Sequence, residues 1–264
     1  MKKIVFLILD EFADWETAFL ASALNEENIT QNYSVSYAST DKDIKVSMGN
    51  LKMLPDMTLE EITEDNTDGL ILIGGKTWRN QSFETNYTII ELVKKFKNNP
   101  NKVVGAICDA AYFLATNGLL NDCRHTVNNL AEIKDNENYT NSENFVKAES
   151  VIDGKMVTAR GDSPVHFAKD VMKALGDIPE KNINFFFDMY TIGFEKAFEK
   201  WKQKYETNQL NDWEYSWLSS AADELGMRDF AQQVRESKPQ FSREKLYNSE
   251  NLTVTSREEG LIKK

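Results

Sequence analysis

The chain has 264 residues, 41% hydrophobic and 28% charged, with a net charge of −11. That profile describes one large globular domain, or a domain with an appendage. The acidic balance argues against nucleic acid or an anionic membrane as partner, because both are met by clustered positive charge.

Lys2 and Lys3 precede an apolar run as in a signal peptide. That run is only Ile4–Leu9, and Asp10-Glu11 closes it without a small-residue cleavage site. No later stretch approaches the ~18 apolar residues that span a bilayer. Two cysteines, Cys108 and Cys123, make neither a disulfide framework nor a CxxC metal site. A cytoplasmic protein with reduced thiols is the expectation, with no metal and no cofactor.

In chain order, KIVFLIL (3–9) has the length and unbroken apolarity of a buried parallel strand. DWETAFLASALN (14–25) reads as a helix with Trp15, Phe19, Ala23 and Leu24 on its apolar face. YSVSYAS (33–39) alternates like a strand, and VSMGNLKMLPD (46–56) reads as a short hairpin around Gly49-Asn50. DGLILIGG (68–75) is a second buried run closed by a glycine pair, and residues 84–98 are helical in pattern. KVVGAIC (102–108) is a third buried run, followed by the helix DAAYFLATNG with Gly118 just past its end. ESVIDGKMVTAR (149–160) predicts a hairpin turning at Asp153-Gly154. SPVHFAKDVMKAL (163–175) predicts a helix capped by Ser163 with Pro164 at its first position.

Strands thus alternate with helices to about residue 177, which predicts an α/β domain: a mostly parallel sheet with helices on both faces. Beyond Pro179 the strand signal vanishes. Phe187, Tyr190, Phe194, Phe198, Trp201 and Tyr205 recur at three- and four-residue steps, predicting one long helix. A second helical region covers about 212–236, and about the last 25 residues are polar and read as loose. The expected division is 1–177 for the α/β domain and 178–264 for a helical extension. That extension is open to three roles: covering the sheet, acting as a lid, or mediating dimerisation, with a homodimer as the expected assembly.

Ligands of open α/β sheets bind beyond the carboxyl ends of the strands. Three loops meet that description: LDEFADWE, IGGKTW and CDAAY. A cysteine at a strand-to-helix junction sits under a helix N-terminus, whose amides and dipole favour the nucleophilic thiolate. Glu16, on the first helix, can reach the same crevice. Gly74-Gly75 lets backbone N–H groups approach a ligand, as an oxyanion hole requires. Each feature also has an ordinary reading: core cysteine, turn, exposed glutamate. Their coincidence at three strand ends favours a site.

Taken together, FLILDEFADWETAFL, LILIGG, VVGAICDAAYFLATNGLLND, YTNSENFVKAESVIDGKMVTARG and SPVHFAKDVMKAL resemble the PfpI-like superfamily. It includes PfpI intracellular proteases, the parkinsonism-associated deglycase and class I glutamine amidotransferase-like domains. The chain looks closest to the bacterial type 1 glutamine amidotransferase-like, general-stress branch. The resemblance covers about residues 1–177 and implies a flavodoxin-like three-layer α/β/α sandwich with a nucleophile elbow. It implies Cys108 as the nucleophile, Glu16 as the carboxylate touching its thiol, and the amides of Gly75 and Asp109 as an oxyanion hole.

The departures from the family pattern are specific. The histidine that follows the nucleophile in PfpI-type proteases is Asp109 here. The late H-x-E of glutaminases is absent, since Phe167 and Ala168 follow His166. Where the deglycase branch has a histidine, this chain has Val127 or Asn128. A Cys–His protease triad and a glutaminase are therefore not supported. His125 remains a candidate base, His166 a weaker one at the start of its helix, and Cys123 has no motif around it. Trp15 and Trp78 flank the crevice in sequence, either shaping a pocket or packing against the next helix.

Two functions follow. One is a cysteine-dependent, stress-related enzyme acting on small carbonyl or amide compounds, glyoxalase- or deglycase-like or a hydrolase, with a small-molecule substrate. The other is a non-enzymatic redox sensor in which Cys108 is oxidised to a sulfinic acid held by Glu16. A weaker third is a binding module in which the helical tail recruits a partner.

Overall fold

A computed structural model describes residues 1–27, 29–207, 209–210 and 212–238. The chain divides into two compact units, Met1–Ala197 and Phe198–Lys264. The first is built on a seven-stranded sheet. In chain order its strands are β1 (Lys2–Leu7), β2 (Tyr33–Ser39), β5 (Met57–Thr58), β6 (Gly69–Leu72), β7 (Val103–Ile107), β8 (Ser150–Asp153) and β9 (Met156–Ala159). The spatial order is β5-β2-β1-β6-β7-β9-β8, parallel except for β8, which pairs antiparallel with β9. A separate small hairpin, β3 (Lys45–Val46) and β4 (Lys52–Met53), turns at Gly49-Asn50 as expected.

Helices cover both faces, which is why the central strands read as unbroken apolar runs. Val5, Leu7, Leu70, Leu72, Val104 and Ala106 share one cluster with Ile89, Val93 and Phe96 of α2 (Phe83–Asn98) and Phe113 and Leu114 of α3 (Asp109–Thr116). On the other face α1 (Asp14–Asn25) packs against α4 (Pro164–Leu175), and α5 (Glu180–Thr191) packs on α4. Phe167 of α4 presses so closely on β7 that a Cβ at Gly105 would lie 2.9 Å from its ring.

Several expectations need correction. The buried face of α1 is Glu16, Thr17, Leu20, Ala23 and Leu24, so the apolar stripe is turned from the expected one and Trp15 is exposed. Ser163 precedes α4, but its hydroxyl bonds Asp162 and does not cap the helix. The hairpin loop is Gly154-Lys155, because Asp153 pairs directly with Met156.

The long helix expected from Phe187 to Tyr205 is two helices, α5 and α6 (Phe194–Glu206). Gly193, at φ 84°, takes the left-handed conformation that ends a helix there, and Gly226, at φ 75°, likewise separates α7 (Asp212–Glu224) from α8 (Arg228–Ser237). The boundary between the compact units runs within α6, after Ala197. Asn182 of α5 donates to Ile29 O at 2.9 Å, and Tyr190 lies edge-on to Phe19, both ties to the first unit. In the second unit the aromatic stripe is core: Tyr205 stands edge-on to both Tyr215 and Phe230, and Trp201 to Trp217. The polar terminal stretch expected to be loose lies, from residue 239, outside the described residues. Among the described residues no helix is long and apolar enough to cross a membrane.

Candidate active site

At the carboxyl end of β7 the chain turns abruptly into α3. Cys108 is the turning residue, with φ 58° and ψ −127°, a backbone conformation that costs a side-chain-bearing residue about 1–3 kcal/mol. The turn is fixed at both ends, by Cys108 N–H donating to Ala159 O of β9 (3.0 Å) and Tyr112 N–H donating to Cys108 O (3.1 Å). The strain lifts the sulfur out of the strand and over the first turn of α3, where its free amides lie.

Glu16 approaches from α1. It is 1% exposed, and its Oε2 accepts the Gly74 N–H at 2.8 Å. Its Oε1 is buried beside the sulfur without a conventional hydrogen bond, and the Cys108 thiol is its neighbour there. Two glycines make that proximity possible. A Cβ on Gly74 would sit 2.5 Å from the Cys108 Cβ and 2.6 Å from Glu16 Oε2. One on Gly161 would sit 2.6 Å from the Cys108 Sγ and 3.0 Å from Glu16 Oε1.

The third contact is one the sequence reading did not assign. Asn128 Nδ2 donates to Cys108 Sγ at 3.3 Å, while its Oδ1 accepts the Gly161 N–H at 2.8 Å. It stands in the stretch where the deglycase branch was expected to have a histidine, which was its sole sequence signal. Trp15 closes the rim, its Nε1 donating to Gly161 O at 3.2 Å. Beside Asn128 lies a cavity of about 300 Å³ lined also by Val127, Leu130, Phe145, Lys147 and Arg160.

The electrostatics follow from burial. Burial pushes the Glu16 carboxyl up to about 8, opposed by the Gly74 and Cys108 hydrogen bonds and reinforced by the charge of Asp109. Burial and the Glu16 charge push the Cys108 thiol up, while the Asn128 amide and the Asp109 N–H pull it down. The two groups therefore titrate as a pair: two protons at low pH, one shared proton above about 8. Above about 8 the remaining proton is held between Glu16 and the Cys108 sulfur, which also receives the Asn128 amide.

The other candidates fall elsewhere. His125 is fully buried, with Nδ1 against Cys123 O (2.9 Å) and Nε2 against the Tyr139 hydroxyl (2.8 Å). Both ring nitrogens are used, and burial lowers its pKa, so the expectation of a base at Cys108 is corrected to a structural role. His166 packs edge-on to Phe187. Cys123 is buried, its Sγ directed at Leu120 O. Trp78 is core, its Nε1 donating to Ile73 O and its ring tilted against Phe113. Gly75 forms a bridge with Phe12 whose two hydrogen bonds come from Ala13 and Lys76, leaving the Gly75 N–H outside the bridge. Among the described residues no group of three or more His, Cys, Asp or Glu side chains is placed to hold a metal ion.

A sequence model of the DJ-1/PfpI family matches residues 2–174. The chain belongs to the DJ-1/PfpI family. Among its relatives is the Bacillus subtilis "uncharacterized protease YdeA", 37% identical over 204 residues, covering 76% of this chain and 97% of that one. "Deglycase PfpI" of Pyrococcus furiosus is 28% identical over 158 residues, covering 60% and 89%. Among solved structures, a ThiJ/PfpI family protein of Bacillus anthracis superposes with a TM-score of 0.67 at 29% identity, covering 75% of this chain and 94% of that one. In this family member the strand–elbow–helix, the mostly parallel sheet and the flanking helices make the flavodoxin-like fold, with further helices beyond the match.

Proposed function

We propose that this family member is a cysteine-dependent enzyme acting on small reactive carbonyl compounds, with Cys108 as nucleophile and Glu16 as its proton partner. The observation that carries the reading is a buried carboxyl whose Oε1 has the sulfur as neighbour, held there by the Gly74 amide. A carboxyl of raised pKa both gives and takes a proton near neutrality, which is the requirement for general acid–base work. The relatives carry both deglycase and protease names. Both imidazoles are engaged elsewhere and Asn128 is the side-chain donor to the sulfur, which favours carbonyl chemistry over amide hydrolysis.

On a 2-oxoaldehyde such as methylglyoxal, the pair's shared proton passes to Glu16 as the sulfur adds to the aldehyde carbon; the carbonyl electron pair becomes an alkoxide, which takes that proton from Glu16. The Glu16 carboxylate then removes the proton on that carbon and returns it to the neighbouring carbonyl carbon through an enediol. The resulting thioester is cleaved by water, releasing lactate and the thiol; the balance is methylglyoxal plus water to lactic acid. The amides of Gly75 and Asp109 are assigned to the developing oxyanion.

Incubation of the protein with methylglyoxal is expected to give lactate, and Cys108→Ser to give none. Wild-type consumption no faster than the variant, with ready conversion of Cys108 to a sulfinic acid by peroxide, would overturn the reading in favour of a redox sensor.

A further inference from the structure

The residue after the nucleophile is an aspartate, and a negative charge there works against a thiolate. Asp109 does not stand alone. Arg79, which ends the 3-10 turn Lys76–Arg79 following Gly75, grips it with two hydrogen bonds, Nε to Oδ2 at 3.1 Å and Nη2 to Oδ1 at 2.8 Å. Its Nη2 also donates to Glu132 Oε2 at 2.7 Å, and the guanidinium lies 4.4 Å over the Tyr112 ring. These partners come from α3 and from the 3-10 turn Leu130–Glu132. That turn is capped by the Asn129 side chain, next to Asn128. One side chain thus joins the glycine-pair loop, the elbow helix and the segment carrying the sulfur's amide donor.

The geometry points to Arg79 as a positioning residue: acting through Asp109 and Glu132, it offsets the charge beside Cys108 and holds three site segments in register. A bidentate fork is the form of ion pair that fixes geometry as well as charge. The charged groups facing the sulfur are Glu16 from α1 and Asp109 from α3, both negative. Arg160, next to Gly161, is already paired with Asp162. Arg79 is therefore the cation that counters Asp109. The inference rests on Cys108 being the reactive group, and its test does not need turnover.

Iodoacetamide alkylation of Cys108 across pH 6–10, with Cys108→Ser as the blank for Cys123, reads the thiol directly. Arg79→Met is expected to raise the apparent thiol pKa by about half a unit or more. Asp109→Asn is expected to lower it, the double variant to return near wild type, and Arg79→Lys to fall between. An Arg79→Met profile identical to wild type, or a double variant that matches Arg79→Met, overturns the inference. Should Arg79→Met fail to fold, the Asp109→Asn profile decides, and no downward shift overturns it. Failure of methylglyoxal turnover with these shifts intact would reject the proposed chemistry and leave the role of Arg79 standing.

Discussion

Glu16→Gln separates the two things this carboxyl does, because it keeps the side chain's shape and removes its titration. In the unfolded chain Glu16 loses its proton near 4.5; in the folded protein it keeps it to about 8. The folded state therefore binds the extra proton between those values, so the contribution of Glu16 to stability falls as pH rises through that window and is level outside it. At about 1.4 kcal/mol per pH unit the full span amounts to roughly 5 kcal/mol at pH 8.5. The variant has no such penalty, but its amide N–H is a weaker donor to sulfur than the carboxylic O–H it replaces, by about 1–2 kcal/mol. The difference should change sign. At pH 5 the variant is less stable by about 1–2 kcal/mol, and at pH 8.5 more stable by roughly 3 kcal/mol. For a chain of this size that is a melting temperature a few degrees lower, then roughly 6–10 °C higher. Thermal unfolding followed by circular dichroism at both pH values reads it. A melting-temperature difference that stays constant from pH 5 to 8.5 would mean that Glu16 is ionised in the folded protein, and the acid–base reading of the pair would be wrong.

Gly161→Ala places a methyl 2.6 Å from the Cys108 sulfur. The sulfur has to move, so alkylation of Cys108 is expected to slow by at least about tenfold while the fold survives, at a cost of about 1–3 kcal/mol. An unchanged alkylation rate would contradict the closeness of that wall. His125→Ala removes the partner of the Tyr139 hydroxyl and of Cys123 O, and should cost about 2–4 kcal/mol of stability in denaturant titrations. Its Cys108 alkylation profile should match wild type; a profile shifted by more than about half a pH unit would return His125 to the site.

The parts of this protein that could be read from its residues are those where one physical demand dominates. The central strands announce themselves because both faces are covered, and the cysteine junction because Cys108, Glu16 and the glycine pair all fall just beyond strand ends of one sheet. The rotation of α1 was not legible: Trp15-Phe19-Ala23 and Glu16-Leu20-Ala23-Leu24 are both helical stripes, and only the buried role of Glu16 decides between them. The break between α5 and α6 was carried by Gly193 but masked by an aromatic periodicity that continues across it. Asn128 and Arg79 lie in irregular segments, where no periodicity marks a side chain's direction and partners come from distant turns. His125 misled for the opposite reason: it is close in sequence to the site, but its bonds lie within its own loop.

Two of the walls nearest the sulfur are backbone. Where Gly74 and Gly161 face Cys108, there is no side chain to vary and no room to add one. Discrimination between one ligand and another cannot be written at those two positions, and has to be written in side chains such as Trp15 and Asn128 and in the loops behind them. The inner chamber is common ground for any substrate that reaches it, and divergence in what is accepted has only the outer loops in which to occur.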